Sequence, residues 1–132
     1  MRQRILVVDD EPDIVELVAF NLRAEGYEVI TAATGVEALE IARTIVPDLI
    51  VLDLMLPELD GMAVCEILRK LPATAPIPII MLTAWSSDLS RCIGLGLGAK
   101  EYMTKPFSPR ELVNRVQRTL LRVNGVAASP PK

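Results

Sequence analysis

Five polar residues stand where apolar runs end. Asp9 and Asp10 follow ILVV, Asp53 follows LIVL, Thr83 follows IIML, and Lys105 follows EYMT. A carboxylate at the end of a buried strand is unfavourable unless something there requires it. Two like charges about 4 Å apart repel by about 4 kcal/mol at an effective dielectric of about 20. Three clustered carboxylates must therefore either hold protons or bind a cation. All-oxygen ligands point to a hard ion, Mg²⁺, with waters completing its octahedron. Lys105 adds a positive charge facing Asp53. A metal, a lysine and a hydroxyl suit an anionic substrate, and they are the parts that phosphoryl transfer uses. The chain has no His, so the nucleophile would be a carboxylate, and attack by Asp53 would give an acyl phosphate.

These residues need a scaffold that brings strand ends together. The stretch DLIVLDLMLP, residues 48–57, reads as a central strand buried on both faces. Residues 4–9 form a first strand. Pro12 suits the first turn of a helix with Ile14, Leu17, Val18 and Leu22 on one face, ending near Gly26. Residues 27–32 form a second strand. Thr34 caps a helix over 36–46, with Ala38, Leu39, Ile41, Ala42 and Ile45 inward, and Pro47 stops it. Asp60-Gly61 opens a third helix with Val64, Ile67, Leu68 and Leu71 on one face. Residues 71–78 form a proline-punctuated loop and 79–83 a fourth strand. Ser86 or Ser87 caps a fourth helix through Leu97, closed by Gly98. Residues 101–104 give a short fifth strand, and Ser108 caps a last helix from Pro109 to about Val123.

Five strands alternating with five helices predict a doubly wound α/β fold. At this length the flavodoxin-like (βα)5 arrangement is expected, a parallel five-stranded sheet in the order 2-1-3-4-5. Strands one and three then flank the switch point, and ligand chemistry sits beyond the carboxyl ends of the strands.

The 132 residues suit one domain, 1–123, followed by a linker or disordered tail, 124–132. Hydrophobic residues make up 51% of the chain, so it should be globular. No apolar run approaches the roughly 20 residues needed to cross a bilayer. The N-terminus lacks a signal-peptide layout, and the reading is cytoplasmic with no membrane partner. A net charge of −3 disfavours nucleic-acid contact by this segment. Cys65 and Cys92 fall in helical patterns and are expected to be buried free thiols.

The motifs VVDDE, LDLMLPELDG, MLTA and YMTKPF resemble, in order and spacing, the receiver domain of two-component response regulators. The resemblance covers Arg4 to about Arg122. It implies that Asp53 accepts phosphate from a phosphohistidine on a sensor histidine kinase. It also implies Mg²⁺ held by Asp10, Asp53 and the backbone carbonyl of Met55, with Asp9 acting through water. Thr83 and Lys105 would contact the phosphoryl group. Tyr102 would be a ring that moves inward when Thr83 engages phosphate, and the Lys105-Pro106 bond would be cis. A receiver is a signalling switch rather than an enzyme, apart from its own phosphoryl transfer and dephosphorylation.

Within receivers the chain looks like transcription regulators that carry a winged-helix DNA-binding domain. That resemblance places the output domain beyond Lys132. It also implies a homodimer, formed on phosphorylation, through the fourth helix, fifth strand and fifth helix. Arg91 with Glu111, and Glu101 with Arg115, fit the cross-dimer ion pairs expected there. Lys100 departs from the pattern, where an acid is usual, and Gln117 replaces a common basic residue. Independently, Trp85, Leu89, Ile93 and Leu97 recur every fourth residue, about 40° of drift per step. Leu89, Ile93 and Leu97 should thus turn away from the core as an apolar stripe suited to a partner. Gly94, Gly96 and Gly98 weaken this helix intrinsically.

Met55 and Trp85 lie two residues past Asp53 and Thr83, where bulky side chains would overhang a phosphoryl group. They are expected to exclude the in-line water and lengthen the life of the phosphorylated state. Three alternatives remain: a stand-alone or hybrid-kinase receiver acting by protein contact, an Mg²⁺-dependent phosphatase with an aspartate nucleophile, and a flavin-binding electron carrier. Met55 stands where such phosphatases usually place a second acid. The loop after the first strand is acidic rather than rich in Ser, Thr and Gly.

Overall fold

Leu49–Asp53, every residue of it buried, is the middle strand of a five-stranded sheet. The computed structural model describes residues 2–84, 96 and 98–123. In chain order the elements are β1 (Arg4–Val8), α1 (Pro12–Ala24), β2 (Glu28–Ala32), α2 (Gly35–Ile45) and β3 (Leu49–Asp53). They continue with α3 (Gly61–Lys70), β4 (Ile79–Thr83), β5 (Glu101–Thr104) and α4 (Pro109–Val123). Of the fourth helix expected over 86–97, Gly96 alone is among the described residues, where it is helical, and the tail 124–132 lies outside them.

The strand order is β2-β1-β3-β4-β5, as expected, and every pairing is parallel. Successive side chains of β3 point to opposite faces. Ile50 and Leu52 join a core beneath α2 and α3, with Ala38, Ala42, Val64 and Leu68. Leu49 and Val51 join a second core with Val18 and Leu22 of α1 and Leu112 and Val116 of α4. Both faces are thus covered, and this is why β3 reads as an unbroken apolar run. Among the described residues no helix is long and apolar enough to cross a membrane.

Local signals set the helix starts. Thr34 Oγ1 accepts from the Glu37 N–H, Asp60 Oδ1 from Ala63, and Ser108 Oγ from Glu111. Pro12 occupies the first turn of α1. Two apolar positions differ from the expectation. Leu17 and Ile67 are exposed, while Cys65 takes an inward place on α3 beside Gly61, Val64 and Leu68. The buried α3 positions follow the i, i+3, i+4, i+7 spacing, and Ile67 falls a third of a turn to one side. Cys65 is a buried thiol in no disulfide, and burial raises its pKa. Cys92 lies outside the described residues.

Candidate functional site

Register assembles the site. Val8 pairs with Leu52, Asp53 with Leu82, and Thr83 with Thr104. The carboxyl ends of four parallel strands therefore stop level along one edge. Asp9, Asp53, Thr83 and Lys105 all emerge there. One ligand oxygen each from Asp9, Asp10 and Asp53 lies within 4.8 Å of the others. Asp9 and Asp53 are buried at the floor of the cluster, and Asp10 is exposed at its rim.

Each buried acid is fixed by the backbone of the loop that follows it. Asp9 Oδ1 accepts from the Glu11 N–H at 2.9 Å, and Asp53 Oδ1 accepts from the Met55 N–H at 3.0 Å. Lys105 reaches back across the edge. Its Nζ lies 2.7 Å from Glu11 Oε1, 2.9 Å from Asp9 Oδ2 and 3.3 Å from Asp53 Oδ2. The Lys105 N–H donates to the Thr83 carbonyl at 2.7 Å, so the backbone fixes where this side chain starts. The Lys105-Pro106 peptide is cis, in line with the expectation.

The charges are out of balance. Burial raises the Asp53 pKa, and the charge of Asp9 raises it further; the Met55 N–H and Lys105 only partly offset this. Burial alone would lower the Lys105 pKa. Its close contacts with Asp9 and Glu11 and the nearby charge of Asp53 outweigh that, so the ammonium is held charged more firmly than usual. Asp9 Oδ2 is buried without a directed hydrogen bond, although Nζ is close. Carboxylate oxygens in excess, one of them short of a donor, fit a hard cation. Asp9, Asp10 and Asp53 could hold it.

Thr83 is fully buried at the end of β4. Tyr102 is half-buried and packs against the core cluster beneath α2 and α3. The Met55 side chain is exposed beside Asp53. Leu89, Arg91, Ile93 and Trp85 lie outside the described residues. On the other face of β5, Arg115 bridges Glu101 and Glu111, each at 2.8 Å within the same chain. The hydrogen bond to Glu111 is the main cause of its raised pKa. Gln117 points the other way, its amide donating to Glu25 at 3.3 Å. The residue that the sequence reading passed over is Glu11. The third acid of VVDDE was the available signal, but its position before Pro12 reads as a helix start.

Comparison with known proteins agrees with this geometry. Residues 5–117 match the family model described as response regulator receiver domain. The chain is 54% identical over 128 residues to the alkaline phosphatase synthesis transcriptional regulatory protein PhoP of Bacillus subtilis (strain 168), covering 97% of this chain and 52% of PhoP. It is 48% identical over 128 residues to the probable transcriptional regulator ycf27 of Porphyridium aerugineum, covering 97% of this chain and 52% of ycf27. The chain thus spans about half the length of these relatives. Among solved structures, the Francisella response regulator 1452 receiver domain superposes with a TM-score of 0.86 at 36% identity, covering 92% of this chain and 98% of that one. The Vibrio cholerae chemotaxis regulator CheY4 gives 0.84 at 35% identity, covering 89% and 98%. Strand order, acidic pocket and motif spacing converge with these matches: this chain belongs to the response regulator receiver domain family.

Proposed function

We propose that the chain is a phosphorylation-controlled switch in which Asp53 accepts a phosphoryl group from a phosphohistidine on a sensor histidine kinase. The observation that carries this reading is Asp53 itself. It is a buried carboxylate clustered with Asp9 and Asp10 and paired with the Lys105 ammonium, which also reaches Asp9. An Asp53 oxygen attacks phosphorus, the P–N bond to the donor imidazole breaks, and the imidazole leaves with a proton. Mg²⁺, held by Asp10, Asp53 and the Met55 carbonyl with Asp9 acting through water, would neutralise phosphoryl oxygens. Lys105 takes another of those oxygens, and the Thr83 hydroxyl donates to a third. Tyr102 follows Thr83 inward. The switch unit is 1–123, acting in the cytoplasm.

The two relatives are named as transcriptional regulators, which supports an output on transcription through a DNA-binding domain. In that scheme the phosphorylated chain dimerises through the segment carrying Leu89, Arg91 and Ile93, together with Glu101, Glu111 and Arg115. Arg115 holds both acids within its own chain, so pairing across a dimer requires it to exchange partners. The test is labelling with acetyl phosphate and Mg²⁺. The wild type gains one acid-stable, base-labile phosphoryl group and Asp53→Ala gains none. Equal labelling of both would refute the reading.

A further inference from the structure

Glu11 occupies the N-cap position of α1, yet its side chain makes no capping hydrogen bond. The carboxylate turns to Lys105 instead. At 2.7 Å this is the shortest of the three contacts of Nζ, shorter than those to Asp9 and Asp53. An ammonium has three N–H donors and no acceptor. Hydrogen bonds run from Nζ to Glu11 and Asp53, and Asp9 lies close as an ion pair, so a phosphoryl oxygen on Asp53 competes with these acids for Lys105.

The three acids are not equally displaceable. Asp9 and Asp53 are buried, and each is pinned through its other oxygen by a backbone N–H. The Glu11 side chain is 59% exposed. Water can solvate its carboxylate as soon as it lets go, whereas releasing either buried acid leaves an uncompensated charge. Until the phosphoryl group is on Asp53, Glu11 is the contact that can leave.

We propose that Glu11 is a positioning residue, a displaceable counter-charge that holds the Lys105 ammonium at the mouth of the site until a phosphoryl oxygen replaces it. The proposal rests on Asp53 being the phosphoryl acceptor. Glu11 opposes loading in two ways. It competes for Lys105, and its charge repels an incoming phosphate. Glu11→Gln keeps the size and one acceptor oxygen and removes the charge.

The experiment uses the full chain, with acetyl phosphate as donor at saturating Mg²⁺. A unit charge roughly 6 Å away in a half-solvated setting corresponds to a change of about three- to tenfold in rate. Glu11→Gln is expected to label faster by that factor, with the gain shrinking in about 1 M salt and largely lost in a Lys105→Met background. A helix-capping role alone would give none of this dependence. In metal-free protein, Glu11→Gln is expected to lower the unfolding midpoint of the wild type and leave that of Lys105→Met unchanged. Equal lowering in both backgrounds would overturn the proposal, whatever the labelling shows. A wild type that labels while Glu11→Gln labels no faster overturns the proposal alone. A wild type that does not label overturns the acceptor reading, and the proposal with it.

Discussion

The backbone of Gly61 packs directly on that of Asp53. A Cβ at Gly61 would lie 2.7 Å from Leu54 Cα and would collide with the Asp53 carbonyl oxygen. The Gly61 N–H donates to the Leu54 carbonyl at 3.0 Å, closing the loop between β3 and α3 over this contact. The first residue of α3 therefore sets where the β3 end, and with it the Asp53 carboxylate, can sit. Gly61→Ala is expected to lower stability by roughly 1–3 kcal/mol through overpacking. It should also weaken Mg²⁺ binding, because the loop carrying Met55 must shift. A urea titration and a Mg²⁺ titration check the two effects.

Removing the crowded charge should have the opposite effect on the metal-free fold. The Asp53 pKa is raised above its ordinary 3.8, chiefly by burial. Such a group contributes stability that is fully present below the unfolded pKa and is lost as pH rises through the folded one. Asp53→Asn removes this loss. Its stability advantage over the wild type should be absent at acid pH, appear as pH rises above 3.8 through the raised folded pKa, and then stay level. A gain of about 1 kcal/mol corresponds to roughly 4 °C in Tm for a domain near this size. Thermal unfolding across pH in the presence of a chelator measures it. A wild type that is the more stable of the two above that range would contradict the account.

Mg²⁺ should reverse that order. A cation that binds the folded chain alone adds about 1.4 kcal/mol at ten times its Kd and about 2.7 kcal/mol at a hundred times. Wild-type Tm should therefore climb with Mg²⁺, while Asp10→Asn and Asp53→Asn respond weakly. Asp10 is the informative variant, since it is exposed and its loss should leave the apo fold within about 0.5 kcal/mol. An unchanged Mg²⁺ response in Asp10→Asn would remove it from the metal site.

Met55 tests the lifetime of the phosphorylated state. Its side chain is exposed beside Asp53, while its N–H holds Asp53 Oδ1. Met55→Asn keeps that backbone bond and replaces the apolar cover with a group able to orient water. Loss of phosphoryl label should quicken several-fold, and further when combined with Trp85→Glu. A decay rate equal to that of the wild type would discard the idea.

Arg115 separates folding from assembly. Its pairs with Glu101 and Glu111 are partly exposed, so Arg115→Ala should cost the monomer no more than about 1 kcal/mol. With Mg²⁺ and beryllofluoride as a phosphoryl analogue, the wild type is expected to sediment as a dimer and Arg115→Ala to remain largely monomeric. A wild type that stays monomeric at high concentration would count against the dimer.

The sequence by itself determined the strand ends. ILVV before Asp9, LIVL before Asp53 and IIML before Thr83 read as short strands buried on both faces, and a hydrophobic pattern is a local property. The helix starts at Thr34, Asp60 and Ser108 were legible as short polar residues ahead of an apolar pattern, and strand order followed from the fold class that the alternating elements imply. Leu17 and Ile67 were misjudged because periodicity locates an apolar stripe only to within a third of a turn. What the tertiary structure decided is who touches whom across the sheet edge. Glu11 and Lys105 are far apart in the chain, and no spacing rule links them; only the level register of β1, β3, β4 and β5 brings that carboxylate to that ammonium. The same holds for Arg115 and Glu101 of β5, whereas the pair with Glu111 is an i, i+4 contact along one helix. Charges pair through space, and the fold sets that distance.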